Sequence, residues 1–167
     1  MLSMFSAIDA ARFSPRVYTV AAGALGVVYR AVRTAMGDPA ERLLWHGTSW
    51  QSLPNILANG FNRAYSGRHG TKFGVGTYFS PEPEYALRYC ERSAPRALLV
   101  ARVLVGRYTK GSPDMREPPF IGEEATEAAA GVGRRRYDST VDKCDRPRIF
   151  CVFRDFQALP VGLVVLA

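Results

Sequence analysis

Residues 97–105 read ALLVARVLV, an apolar run broken by one charge, Arg102. A strand with one wet face shows a polar residue at every second position, whereas a strand covered on both faces reads as continuous Val, Leu and Ala. The run therefore predicts a central strand with packing layers on either side. Three more apolar stretches, at 43–45, 149–153 and 163–166, predict further buried strands, the last two separated by a turn around Pro160 and Gly162. Val17-Tyr18-Thr19-Val20 has strand-forming residue types as well.

Helical patterns concentrate in the first half. Ser3 is placed to cap a helix over 3–11. Over 21–36, Leu25, Val28, Tyr29 and Val32 recur at helical spacing, and Gly37-Asp38-Pro39 ends the pattern. Ser49 is a candidate cap for a short helix with Leu53, Ile56 and Leu57 on one face, stopped by Gly60. Residues 81–90 predict another helix, with Pro81 or Pro83 in its first turn. A polar loop covers 62–72. Residues 73–80 predict a strand whose glycines, Gly74 and Gly76, admit close approach of a backbone or a ligand. From 110 to 136 the pattern dissolves into a long loop ending in Arg134-Arg135-Arg136, read as a solvated charge run. Strands following strands, with helices gathered early, give an α+β chain and not a doubly wound sheet.

With 167 residues, 47% of them hydrophobic, one domain spanning 1–167 has enough apolar surface for a core. A net charge of +7, spread without a long basic run, favours an acidic partner, protein or nucleic acid. Cys90, Cys144 and Cys151 cannot all pair and show no CxxC spacing, which points to an intracellular, reducing compartment, cytoplasm or nucleus. The apolar stretch 17–32 is too short and too charged to span a bilayer, so no membrane association is expected. Gly74-x-Gly76 lacks the strand-turn-helix setting of a dinucleotide fold, and Gly67-x-x-Gly70 lacks the ending of a phosphate loop.

Three motifs in series, HGT at 46–48, ILANGFNRAYSG at 56–67 and FGVGTYFS at 73–80, resemble the donor site of the poly(ADP-ribose) polymerase-like ADP-ribosyltransferases, nearest to the mono-ADP-ribosylating branch. The resemblance extends through YDSTVD at 137–142 and PRIFCVFRDFQALPVGLVV at 147–165, so it covers nearly the whole chain. It implies two packed, mostly antiparallel sheets around an NAD cleft with flanking helices. It also implies NAD as co-substrate and no metal.

Cleaving NAD builds positive charge on the ribose as nicotinamide leaves, so such a site must grip a flat cation and fix the sugar. Tyr78 and Tyr89 are the candidate aromatic faces, each worth ~0.5 to 2 kcal/mol toward a cation. Phe79 completes the motif of Tyr78. Gly47, without a Cβ, can offer its N–H and C=O to a carboxamide. By the resemblance, His46 and Thr48 would bond ribose hydroxyls on the adenosine side. Asn62, Arg63 and Tyr65 would border the adenosine and pyrophosphate.

Two positions depart from the family pattern. Ile149 stands where polymer-forming members carry a catalytic glutamate, and Ala86 stands where a serine usually bonds the nicotinamide carboxamide. An acceptor bringing its own negative charge could still attack, so the expected reaction is transfer of a single ADP-ribose to an acidic or phosphate-bearing acceptor. The alternatives are a catalytically silent NAD or ADP-ribose-binding module and an NAD glycohydrolase. Glu123 and Glu124, on the long loop, are poor substitutes for the absent carboxylate.

Overall fold

The computed structural model describes residues 15–63, 71–91, 95–122 and 135–166. The expected helix over 3–11, Tyr65, Glu123, Glu124 and Arg134 lie outside them.

Among the described residues, eight strands and three α-helices follow in the order β1 (Arg16–Thr19), α1 (Gly23–Ala35), β2 (Glu41–Thr48), α2 (Leu53–Asn59), β3 (Thr77–Phe79), α3 (Pro83–Ala86), β4 (Arg96–Leu104), β5 (Tyr108–Lys110), β6 (Ser139–Val141), β7 (Phe150–Val152) and β8 (Ala158–Leu166). They form two four-stranded sheets, β1-β8-β4-β2 and β3-β7-β6-β5. Every pairing is antiparallel except that of β5 with β6. The α+β expectation of two mostly antiparallel sheets with flanking helices is met.

The apolar run explains this layering. In β4, Ala97, Leu99, Ala101 and Val103 face the second sheet, where Phe79, Val141, Phe150 and Val152 meet them. Leu98, Val100 and Leu104 point the other way, toward Trp45, Ala86 and Val164 at one end and α1 at the other. Each of the buried Leu, Val and Phe side chains contributes about 1.5–3 kcal/mol. Arg102 breaks the second face and bonds Glu41 on β2. Helix α1 covers this face with Leu25, Tyr29, Val32 and Met36. Val28 does not join them, being 38% exposed, because the packed stripe is narrower than the apolar spacing suggested.

Several local expectations are corrected. Pro160 and Gly162 lie inside β8, not in a turn. The ladder shifts there, Val100 pairing with Gly162 and Ala101 with Pro160, so the extra residue Val161 forms a bulge that tolerates a proline without an N–H. The preceding turn instead places Phe156 at φ 58 and is pinned by buried Gln157. That side chain donates to the carbonyls of Leu104 and Asp138 and accepts the N–H groups of Phe153 and Arg154.

Helix α2 begins after Ser52, and Ser49 anchors the turn before it, its carbonyl accepting the N–H groups of Ser52 and Leu53. Gly60 stops α2 as expected, at φ 76. Of residues 73–80 only Thr77–Phe79 is strand. Gly76 admits a neighbouring backbone, as expected, since a Cβ there would lie 2.3 Å from the Val152 carbonyl oxygen. The helix expected over 81–90 is α over Pro83–Ala86 and tightens to a 3-10 turn over Leu87–Tyr89. Arg135 and Arg136 are solvated but also anchored. Arg135 bonds the Met36 carbonyl, while Arg136 stacks 3.9 Å from the Phe120 ring and pairs with Glu117.

Candidate active site

Strand β2 is an edge of its sheet, and an edge strand carries N–H and C=O groups that its own ladder does not use. At Trp45 those groups are taken by Ser80 at the end of β3, with Trp45 N–H donating to Ser80 O at 2.7 Å and Ser80 N–H donating back at 2.9 Å. Antiparallel pairing alternates in period two, so Gly47, two residues on, turns its N–H and C=O to the same outer edge. There a cavity of about 440 Å³ opens, lined by residues of β2, α2, β3 and α3.

His46 lines it from β2, its Nδ1 lying 2.8 Å from the Tyr78 carbonyl oxygen. A carbonyl only accepts, so Nδ1 carries the proton and Nε2 is the acceptor nitrogen of the neutral ring. The imidazole is held among Phe61 and Phe79, with centroids at 5.0 and 5.4 Å, and those two rings meet edge to face at 5.0 Å. Its plane is thus set by packing as well as by hydrogen bonding.

Tyr78 lines the cavity from β3. Its hydroxyl donates to the Gly74 carbonyl at 2.7 Å and accepts the Phe73 N–H at 2.9 Å. Burial pushes its pKa well up, so the phenol stays neutral, and Tyr89 is near enough to add to that shift. From the helical side come Tyr85, Ala86 and Tyr89. The Tyr85 and Tyr89 hydroxyls are 3.0 Å apart, with ring centroids at 5.6 Å.

The cavity therefore brings together His46, Gly47, Thr48, Asn62, Tyr78, Phe79, Ala86 and Tyr89 of the residues expected from sequence. Two others are not in its lining. Arg63 turns its guanidinium to the Arg116 carbonyl at 3.1 Å, while its N–H bonds Asp155. Ile149 is 6% exposed and packed inside, its N–H donating to the Asp142 carboxylate at 3.1 Å. Neighbouring Arg148 bonds the same carboxylate through its N–H and pairs with Glu82 at 2.6 Å. The hydrogen bond from Arg148 holds the Glu82 carboxyl below its usual range.

The bareness of Gly47 has a cause in packing that the sequence did not announce. A Cβ there would lie 1.9 Å from the Ala86 carbonyl oxygen, so glycine is required by the helix packed against it. Residues given no role from the sequence also line the cavity, among them Phe61 and Ser80, which fall inside the motifs, and Tyr85, which does not. Tyr85 was within reach of helical periodicity, standing four residues before Tyr89. Among the described residues no group of three or more His, Cys, Asp or Glu side chains is placed to hold a metal ion, and no helix is long and apolar enough to cross a membrane.

Residues 15–155 match the family described as Poly(ADP-ribose) polymerase catalytic domain. Similar curated proteins include Protein mono-ADP-ribosyltransferase PARP10 of Mus musculus, 39% identical over 139 residues, and Protein mono-ADP-ribosyltransferase PARP14 of Homo sapiens, 31% identical over 128 residues. A third is Protein mono-ADP-ribosyltransferase PARP11 of Mus musculus, 30% identical over 145 residues. These alignments cover 81%, 74% and 74% of this chain, but only 14%, 7% and 41% of the respective relatives.

Proposed function

The chain belongs to the poly(ADP-ribose) polymerase catalytic domain family, and on that premise we propose that it is a mono-ADP-ribosyltransferase that moves one ADP-ribose from NAD to an acidic or phosphate-bearing acceptor and releases nicotinamide. The carrying observation is that the open edge of Gly47, the fixed imidazole of His46 and the rings of Tyr78 and Tyr89 line one cavity of about 440 Å³. That size lies within the range of small-molecule sites.

The roles follow from the chemistry of each group. Gly47 N–H donates to the carboxamide oxygen and its C=O accepts from the carboxamide nitrogen. Tyr78 and Tyr89 face the pyridinium. His46 bonds a ribose hydroxyl on the adenosine side, with Thr48 beside it and Asn62 toward the adenosine. The bond between ribose C1 and the nicotinamide nitrogen breaks, its electron pair leaving with nicotinamide, and an acceptor oxygen bonds to C1. Ile149 supplies no carboxylate to activate a further hydroxyl, which supports a single transfer. The net charge of +7 supports an acidic acceptor, on protein or nucleic acid. Three free cysteines support an intracellular, reducing setting.

Labelled NAD tests this reading. Covalent label on protein or nucleic acid, with equimolar nicotinamide and loss of both in His46→Ala, is the expected result. Free ADP-ribose as sole sugar product would identify a glycohydrolase. The methyl of Ala86 in the lining favours a second reading, a silent binding module, which calorimetric NAD binding without nicotinamide release would establish.

A further inference from the structure

Tyr89 ends a 3-10 turn of only three residues, and Cys90 after it is already extended at ψ 160. A ring at the close of so short an element has little backbone to hold it. Its hydroxyl, however, is bonded to Tyr85 at 3.0 Å across the cavity wall. Tyr85 stands on firmer ground. It lies within α3, next to the residue whose carbonyl abuts Gly47, and the Ala86 N–H is bonded to the Glu82 carbonyl at 3.3 Å. Glu82 in turn is tied to Arg148 by a two-pronged ion pair at 2.8 and 2.6 Å. The Arg88 guanidinium covers the Tyr85 ring at 5.5 Å. Burial, then the bond to Tyr89, pushes the Tyr85 pKa up to about 12, so the phenol keeps its proton at neutral pH and the hydroxyl pair persists.

We infer that Tyr85 is a positioning residue for nicotinamide recognition: its hydroxyl holds the Tyr89 ring in the cavity wall, and so sets the affinity for the pyridine end of the donor while leaving the ADP-ribose end alone. Residue 86 contributes only a methyl group to this wall, so the order of the Tyr89 ring carries more of the selectivity than a wall with an additional hydroxyl would need. This inference rests on the reading of Tyr89 as a nicotinamide-facing ring.

Titration calorimetry with nicotinamide and, separately, with ADP-ribose tests it on the whole chain and on Tyr85→Phe, Tyr89→Phe, the double variant and Tyr89→Ala. Loss of one hydrogen bond weakens nicotinamide binding about threefold to tenfold in each phenylalanine variant. The double variant is no worse than the weaker single one, because both remove the same bond. ADP-ribose affinity stays within about twofold of the unsubstituted chain. Unchanged nicotinamide affinity in Tyr85→Phe overturns the inference, and so does equal loss for both ligands, which would mark general loosening. If Tyr89→Ala weakens nicotinamide while Tyr85→Phe is silent, only the positioning role falls. If Tyr89→Ala is silent too, or the unsubstituted chain binds no nicotinamide, the assignment of Tyr89 falls with it.

Discussion

The α-carbon of Gly47 rests against the carbonyl of Ala86, so closely that a Cβ would stand 1.9 Å from its oxygen and 2.9 Å from its carbon. Strand β2 and helix α3 are thereby in backbone contact, and the cavity wall depends on it. Backbone cannot swing aside as a side chain can. Gly47→Ala should displace α3, cost at least about 1–3 kcal/mol of stability and abolish nicotinamide binding. Thermal unfolding with nicotinamide titration checks both, and an unchanged melting temperature would refute the contact.

Ala86 lines the same cavity and is 3% exposed. A serine there adds one hydroxyl to the wall that receives the carboxamide in the proposed reading. Ala86→Ser should tighten nicotinamide about twofold to tenfold, the worth of one hydrogen bond, and leave ADP-ribose affinity unchanged. A weaker or unaltered nicotinamide affinity would mean that the hydroxyl turns back to the helix carbonyl four residues earlier, and that position 86 does not face the carboxamide.

What was legible in advance followed from burial and local chemistry. The uninterrupted apolar face of β4 announced a central strand, and Gly60 announced the end of α2, because both signals are decided by neighbours within a turn or a pleat. Pro160 was misleading because its strand position depends on a bulge that only the partner strand β4 reveals. Glycine at 47 was singled out, but its packing against the Ala86 carbonyl was not, since Ala86 is thirty-nine residues away in sequence. Arg63 and Ile149 were placed by motif position, whereas their actual partners, the Arg116 carbonyl and the Asp142 carboxylate, are tertiary neighbours that local sequence does not encode.

Ile149 is buried outside the cavity lining, its N–H on the Asp142 carboxylate, and the adjacent Arg148 is already paired with Glu82. A carboxylate at this position would enter beside that of Asp142 with no new cation to meet it. Ile149→Glu should therefore lower the melting temperature and form no polymer, while Ile149→Val costs only about 0.5–1.5 kcal/mol. Sizing the products made from labelled NAD decides the matter. A ladder of growing chains from Ile149→Glu would show that this position does reach the sugar.

Glu41 gathers three partners where β2 meets α1 and β4: Tyr29 Oη donates to it at 2.5 Å, Arg102 Nε at 2.8 Å and Arg33 at 3.5 Å. Its partial burial works to raise the carboxyl pKa, but the hydrogen bonds from Arg102 and Tyr29 and the arginine charges outweigh this and hold it below the ordinary range. A lowered folded-state pKa means that the unfolded chain binds the proton first as pH falls. The stabilisation is thus complete above the unfolded value of about 4.3 and drains away as pH drops through the folded value. Glu41→Gln should cost about 1.5–3 kcal/mol at pH 7, in line with hydrogen bonds to a charged group, and the deficit should shrink steadily below about pH 4. Melting temperatures of the two chains from pH 7 to pH 3 measure it. A deficit that is constant or grows on acidification would mean that the ionised carboxylate is not what joins α1 to the sheet.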